Sequence, residues 1–245
     1  LLAVCLLVLL VAGALQSCRR KDGLTPEKKT AVVKIGFDSF EPYSSVDENG
    51  NYVGIDIELA TEAFNRMGYQ AEFQMIPWEE KARLLADGSL DCLWSCFTMD
   101  GREERYLWAG PYMKSRQVVV VREDSEIHTL QQLNGRNVAV QSSTKPEEIF
   151  LDSPEGAVPS VKHLYCFKSI DETFAALRKG YVDACAGHET AYRSFMGGRA
   201  GQYRVLDQEL LRVGLGVAFY KEDDTGRAEA LSDVLRELKE DGTAA

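Results

Sequence analysis

The chain has 245 residues, a formal net charge of −10, 45% hydrophobic and 27% charged residues. The acidic balance excludes a duplex nucleic-acid binder, which relies on Lys and Arg at phosphates. The apolar share excludes a largely disordered chain, and the length suits one large domain or two small ones.

Residues Leu1 to Leu15 are almost wholly apolar. That run is too short for a ~30 Å hydrocarbon layer, which takes ~20 helical residues. It suits the apolar core of a secretory signal whose basic start lies upstream, since the first residue is Leu rather than Met. It closes on Leu15-Gln16-Ser17-Cys18, which resembles a bacterial lipobox. There a leucine and a small residue precede a cysteine that is acylated and becomes the new N-terminus. Gln16 departs from that pattern, and an ordinary signal peptide with an incidental Cys18 is the alternative. The lipobox reading makes 1–18 a lipoprotein signal peptide and Cys18 a membrane anchor, at ~0.8 kcal/mol per buried CH₂ of its acyl chains. Residues 19–30 (RRKDGLTPEKKT) read as a solvated tether, so the fold begins near Ala31.

AVVKIGFD (31–38) reads as a buried strand, and Asn49-Gly50 as a hairpin turn. IDIELATEAFNRM (55–67) reads as a helix with Ile55, Leu59, Ala63 and Met67 on one face, stopped by Gly68. YQAEFQMI is the next strand, 78–87 a helix before Gly88, and LDCLWSCF a third strand. On one strand Cys92 and Cys96 lie roughly 13 Å apart. That is too far for a disulfide, and no further metal ligands are close, so they read as buried free thiols. The polar turn DGRE follows. QVVVV (117–121) is a strand, 130–135 a short helix, and NVAVQ (137–141) a strand ending at Ser142-Ser143-Thr144. Helix 146–151, strand VKHLYCF, helix SIDETFAALRKG, strand YVDACAG, helix HETAYRSFM and strands YRVLD and RVGLGVAFYK complete the alternation. The last helix, 227–240, carries Ala228, Leu231, Leu235 and Leu238 on one stripe. Such alternation implies helices over a largely parallel sheet, in two α/β units on either side of residues 113–118.

KIGFDSFEPY, GIDIELATEAF, LLADGSLDCLWS, GREERYLWAGPY, NVAVQSSTKPEE, LRKGYVDACAG and LGVAFYKED follow one another in this order. The chain resembles over 31–242 the solute-binding proteins of bacterial ABC transporters, in the subfamily for polar amino acids. The resemblance implies a two-lobed, type II periplasmic-binding-protein fold, with α/β lobes joined by two crossing strands near 115–118 and 205–207. Lobe 1 would comprise 31–115 and 208–245, and lobe 2 would comprise 116–207. It implies a monomeric extracytoplasmic receptor, not an enzyme, with no cofactor or metal. The receptor would hold a small amino acid in the cleft, be anchored by Cys18, and deliver the ligand to an ABC permease.

The resemblance also assigns roles. Arg102 would bind the ligand carboxylate through two parallel hydrogen bonds, although its turn is one residue shorter than in close family patterns. Ser95, Cys96 and Thr98, at the end of the third strand, would present backbone and hydroxyl groups to the carboxylate and ammonium. Thr144, before a helix, would touch the same carboxylate from the other lobe. Asp38, Phe40 and Trp78 would receive the ligand side chain. Where the family has an aspartate for the α-ammonium, this chain has His188, followed by Glu189, which could substitute. Turn capping, core packing or a plain helix start is the alternative for each of these. Two other functions share the fold: a sensor module whose kinase continues past residue 245, and a cyclic-acid dehydratase using His188 and Glu189 as an acid–base pair.

Overall fold

The computed structural model describes residues 31–152, 158–199 and 201–244. The expected signal peptide at 1–18, with Cys18, and the expected tether at 19–30 lie outside the described residues. The elements are β1 (Ala31–Phe37), the hairpin β2 (Ser45–Val46) and β3 (Tyr52–Val53), α1 (Ile55–Arg66), β4 (Tyr69–Met75), α2 (Lys81–Ala86), β5 (Cys92–Leu93) and β6 (Leu107–Arg122). They continue as β7 (Asn137–Gln141), α3 (Lys145–Asp152), β8 (His163–Phe167), α4 (Ile170–Arg178), β9 (Ala184–His188), α5 (Glu189–Met196), β10 (Tyr203–Val205), β11 (Leu211–Phe219) and α6 (Arg227–Glu240).

One mixed sheet runs in the order β4-β1-β5-β11-β6-β9-β7-β8, with β10 on β6. The flanks are parallel: β1 pairs β4 and β5, and β7 pairs β8 and β9. The centre is antiparallel, where β11 and β9 flank β6. A largely parallel sheet is therefore corrected to a mixed one. The physical reason is β6, in which the extended pattern does not start at Gln117 but runs on from Leu107 through Pro111. Its first residues oppose β11 alone, Gln117 opposes both Leu211 and His188, and Val118–Val121 oppose β9. One strand thus belongs to both ends of the sheet.

The apolar side chains divide accordingly. Val33, Ile35, Phe64, Trp94, Val217 and Leu231 form one buried cluster, and Val119, Val121, Leu133, Val138 and Val140 another. The stripe on α6 is as expected, with Ala228, Leu231, Leu235 and Leu238 all buried. The face of α1 is not. Ile57, Ala60, Ala63 and Phe64 are buried, together with Asp56, while Ile55 is 39% exposed. Sequence periodicity fits both stripes, and Phe64, the larger apolar residue, takes the core. Likewise LDCLWSCF is strand only at Cys92–Leu93. Cys96 has φ 48, which bends the chain after Leu93 before Thr98 makes a single antiparallel bridge to Leu215. Cys92, Cys96, Cys166 and Cys185 are free thiols.

Candidate functional site

The turn after β5 and the polar turn that follows it form one wall of a cavity, and the ends of β7 and β9 with α3 form the other. Asp38, Phe40, Trp78, Ser95, Cys96, Thr98, Arg102, Thr144 and His188 all line it. The cavity measures about 40 Å³.

The first wall is held by buried polar bonds. The Cys96 N–H, in its left-handed conformation, donates to Asp56 Oδ2 at 2.6 Å. Asp56 Oδ1 accepts from Tyr112 Oη at 2.9 Å. Burial pushes the Asp56 carboxyl up to about 7, against the hydrogen bonds from Cys96 and Tyr112. Ser95 Oγ accepts from the Asp38 N–H at 3.1 Å, which joins this turn to the end of β1.

Arg102 is buried, 4% exposed, with its guanidinium 5.1 Å from the centre of the Phe97 ring. Phe97 is itself packed on Trp78, Tyr106 and Trp108. The Arg102 backbone is pinned by its N–H to Met99 O and by its carbonyl, which accepts from Trp108 Nε1. Nη1 donates to Thr98 O at 3.3 Å. Nε and Nη2 both donate to Glu148 Oε1, at 3.0 and 2.8 Å, from α3 across the cavity. A second cation, Lys81, is buried and donates to Trp78 O and Ser143 O. Burial and then Arg102 lower its pKa to about 8.

At the other end, Asp38 Oδ2 accepts from Gln141 Nε2 at 2.6 Å and Oδ1 from the Ser39 N–H at 2.8 Å. Its carboxyl rises to about 6, chiefly from burial, with Glu79 and Asp171 adding repulsion while the Gln141 and Ser39 bonds oppose the rise. Gln141 also donates to Lys168 O, so it is fixed before any ligand arrives.

His188 is buried at the junction strand. Gln117 Nε2 lies 2.8 Å from Nε2 of the ring and Ser115 Oγ lies 2.9 Å from Nδ1. With the Gln117 amide donating, Nδ1 carries the proton and donates to Ser115. Burial, then Arg102, holds the imidazole neutral at a pKa of about 3. Gln117 Oε1 is buried with no partner among the described residues. Thr144 Oγ1 donates back to Gln141 O at 2.6 Å.

Glu189 is the correction. It lies outside the cavity lining and accepts from Arg116 Nε at 2.6 Å and from Arg193 at 2.8 Å. Those bonds, that of Arg116 foremost, hold its carboxyl down at about 2. It begins α5 and turns away, because the cavity side of β9 ends with His188. The two residues therefore form no acid–base pair. Phe97, Gln117, Gln141, Lys145 and Pro146 line the cavity without having been expected. Gln141 had a signal, as a polar residue ending a buried strand; Gln117, at the head of a valine run, had only the same weak one.

A long strand shared by two α/β ends, with charged and aromatic groups facing each other across the gap, defines a two-lobed binding protein. The family model described as bacterial extracellular solute-binding proteins, family 3, matches residues 33–245, and the chain belongs to that family. It is similar to the histidine-binding periplasmic protein of Escherichia coli, 28% identical over 221 residues, 86% of this chain and 84% of that one. It is 25% identical to a glutamate-binding protein of Corynebacterium efficiens, over 91% of this chain and 79% of that one. An ABC uptake transporter substrate-binding protein from Streptococcus pneumoniae, solved with bound histidine, matches with a TM-score of 0.80. It is 26% identical, covering 86% of this chain and 88% of that one. The type II periplasmic-binding-protein fold, the binding rather than enzymatic role and the extracytoplasmic setting follow from this membership.

Proposed function

We propose that this chain captures an amino acid, or a similar small zwitterion, between its lobes and hands it to an ABC permease. The carrying observation is a buried guanidinium on an aromatic bed, already meeting a carboxylate from the opposite wall. In this reading the ligand carboxylate goes to Arg102, with Thr98 and Thr144 beside it. Its cationic group goes to Asp38, which meets no cation among the described residues. Neutral His188 supplies no charge, so Gln117 Oε1 is the remaining acceptor. The lobes are 31–115 with 208–245, and 116–207, and the hinge runs through β6 near Ser115–Val118. Cys18 is the acylated anchor of a monomer, and an acylated Cys18 in mass spectra of the membrane fraction is the check.

Titration calorimetry with L-histidine, L-arginine, L-lysine, L-glutamine and L-glutamate tests the ligand class. Basic members lead the panel because Asp38 awaits a cation and because a histidine-bound relative shares the fold. Heat from none of them would sink the reading.

Asp38 makes binding pH-dependent. A ligand cation pairs with the ionised carboxylate, so affinity is full above the free-state value of about 6 and is lost as the pH falls below it. The dissociation constant is expected to rise about tenfold between pH 7.5 and 5, since one proton must then be displaced per ligand. Asp38→Asn flattens this dependence. An affinity that improves toward pH 5 would place the cation elsewhere.

A further inference from the structure

Glu148, just outside the cavity lining on α3, meets three cations, of which Arg102 and Lys145 line the cavity. Its Oε1 accepts from Arg102 Nε and Nη2 at 3.0 and 2.8 Å and from Arg105 Nη1 at 3.4 Å. Its Oε2 accepts from Lys145 Nζ at 3.2 Å. Lys145 can approach because Gly101, at φ +74, has no side chain; a Cβ there would stand 2.7 Å from Nζ. Arg102 and Arg105 belong to the turn before β6, whereas Lys145 and Glu148 belong to α3, so the contact bridges the two walls. Arg102 is 4% exposed and the Glu148 side chain 25%. The guanidinium is fixed, and the carboxylate has water to move into.

We infer that Glu148 is a built-in competitor for the carboxylate subsite: it holds the Nε–Nη2 edge of Arg102, ties the walls together, and must be displaced by a ligand carboxylate that takes that edge. This rests on the reading of Arg102 as the carboxylate receptor. The chemistry is an exchange of one carboxylate for another on the same donors, and guanidinium cannot give Nε and Nη2 to both at once. The exchange is nearly balanced in charge, so a bare monocarboxylate gains little by it. A ligand that also brings a cation to Asp38 gains a new ion pair. Glu148 therefore acts as a specificity determinant, selecting zwitterions over simple acids, and it stores part of the closing contact before ligand arrives.

The test is Glu148→Gln, at a side chain exposed enough to spare the fold. Small-angle scattering of the unliganded protein is expected to show a larger radius of gyration in the variant. Glu148→Asp, with a shorter reach and the same charge, should fall between. Calorimetry with L-arginine and L-histidine is expected to show binding about tenfold tighter in Glu148→Gln, about 1.4 kcal/mol. The selectivity against acetate should shrink. Weaker binding in Glu148→Gln would make Glu148 a ligand contact and overturn the inference, and so would an unchanged radius or an unchanged affinity. If no amino acid binds either protein, the ligand reading fails separately, and scattering alone decides whether Glu148 ties the walls.

Discussion

Arg102→Ala is expected to raise the dissociation constant for the amino-acid ligand at least about 100-fold, roughly 2.7 kcal/mol. Charge-assisted hydrogen bonds in a dry site contribute ~1.5–3 kcal/mol each, and the fork supplies two. The free energy is large because the donor is already paid for in position. Phe97 stacks on the guanidinium, and Met99 and Trp108 hold the backbone that carries it. The backbone bonds survive truncation, and Glu148 is exposed enough to turn to water, so folding stability should change by only about 1 kcal/mol. Arg102→Lys separates charge from shape. It keeps the cation but loses the planar fork, and its affinity should lie between wild type and alanine. Calorimetry gives the affinities and thermal melts give the stability. Full affinity in Arg102→Ala with a normal melt would remove the carboxylate from this subsite altogether.

The sequence made the elements legible wherever local chemistry was strong. The Asn49-Gly50 hairpin, the glycines after α1 and α2, and the α6 stripe all form as their residues dictate. It was misleading where tertiary contacts override local pattern. Cys96 looks like a strand residue because its neighbours are apolar, yet Asp56 pulls its N–H out of the ladder from 40 positions away. No local signal announces such a bond. The site was legible in its parts and not in its pairings. The roles of Arg102, Asp38 and His188 came from the family resemblance, and the cavity brings all three together. That Glu148 meets Arg102, or that Gln141 rather than a cation meets Asp38, depends on how the walls face each other. Glu189 shows the reverse error, because adjacency to His188 along the chain says nothing about direction at a strand-to-helix junction.

Asp56→Ala should be the most damaging single substitution outside the ligand subsites. It strips the Cys96 N–H and the Tyr112 hydroxyl of their acceptor at a position 1% exposed. Each of the two buried orphans costs about 1–3 kcal/mol, so about 2–6 kcal/mol of stability is lost, measured by urea unfolding. Ligand affinity should fall as well, because the turn that presents Ser95, Cys96 and Thr98 is held in shape by that bond. Asp56→Asn is the informative partner. Its oxygen can accept from Cys96 while its amide donates to the Tyr112 oxygen, so both bonds survive without a charge. The two variants then separate geometry from ionisation. The wild-type carboxyl has a folded pKa of about 7, above its unfolded value. Its contribution is therefore full below about pH 4 and lost as the pH rises through 7. Asp38 acts in the same direction with a midpoint near 6, whereas His188, lowered to about 3, costs stability as the pH falls below 6.5. His188 and Lys81, the latter lowered to about 8, act in the opposite direction in both proteins, so between pH 6 and 7.5 wild type should lose stability relative to Asp56→Asn. Equal slopes in the two proteins, or an alanine variant as stable and as tight-binding as wild type, would mean that the buried carboxylate does not hold the turn.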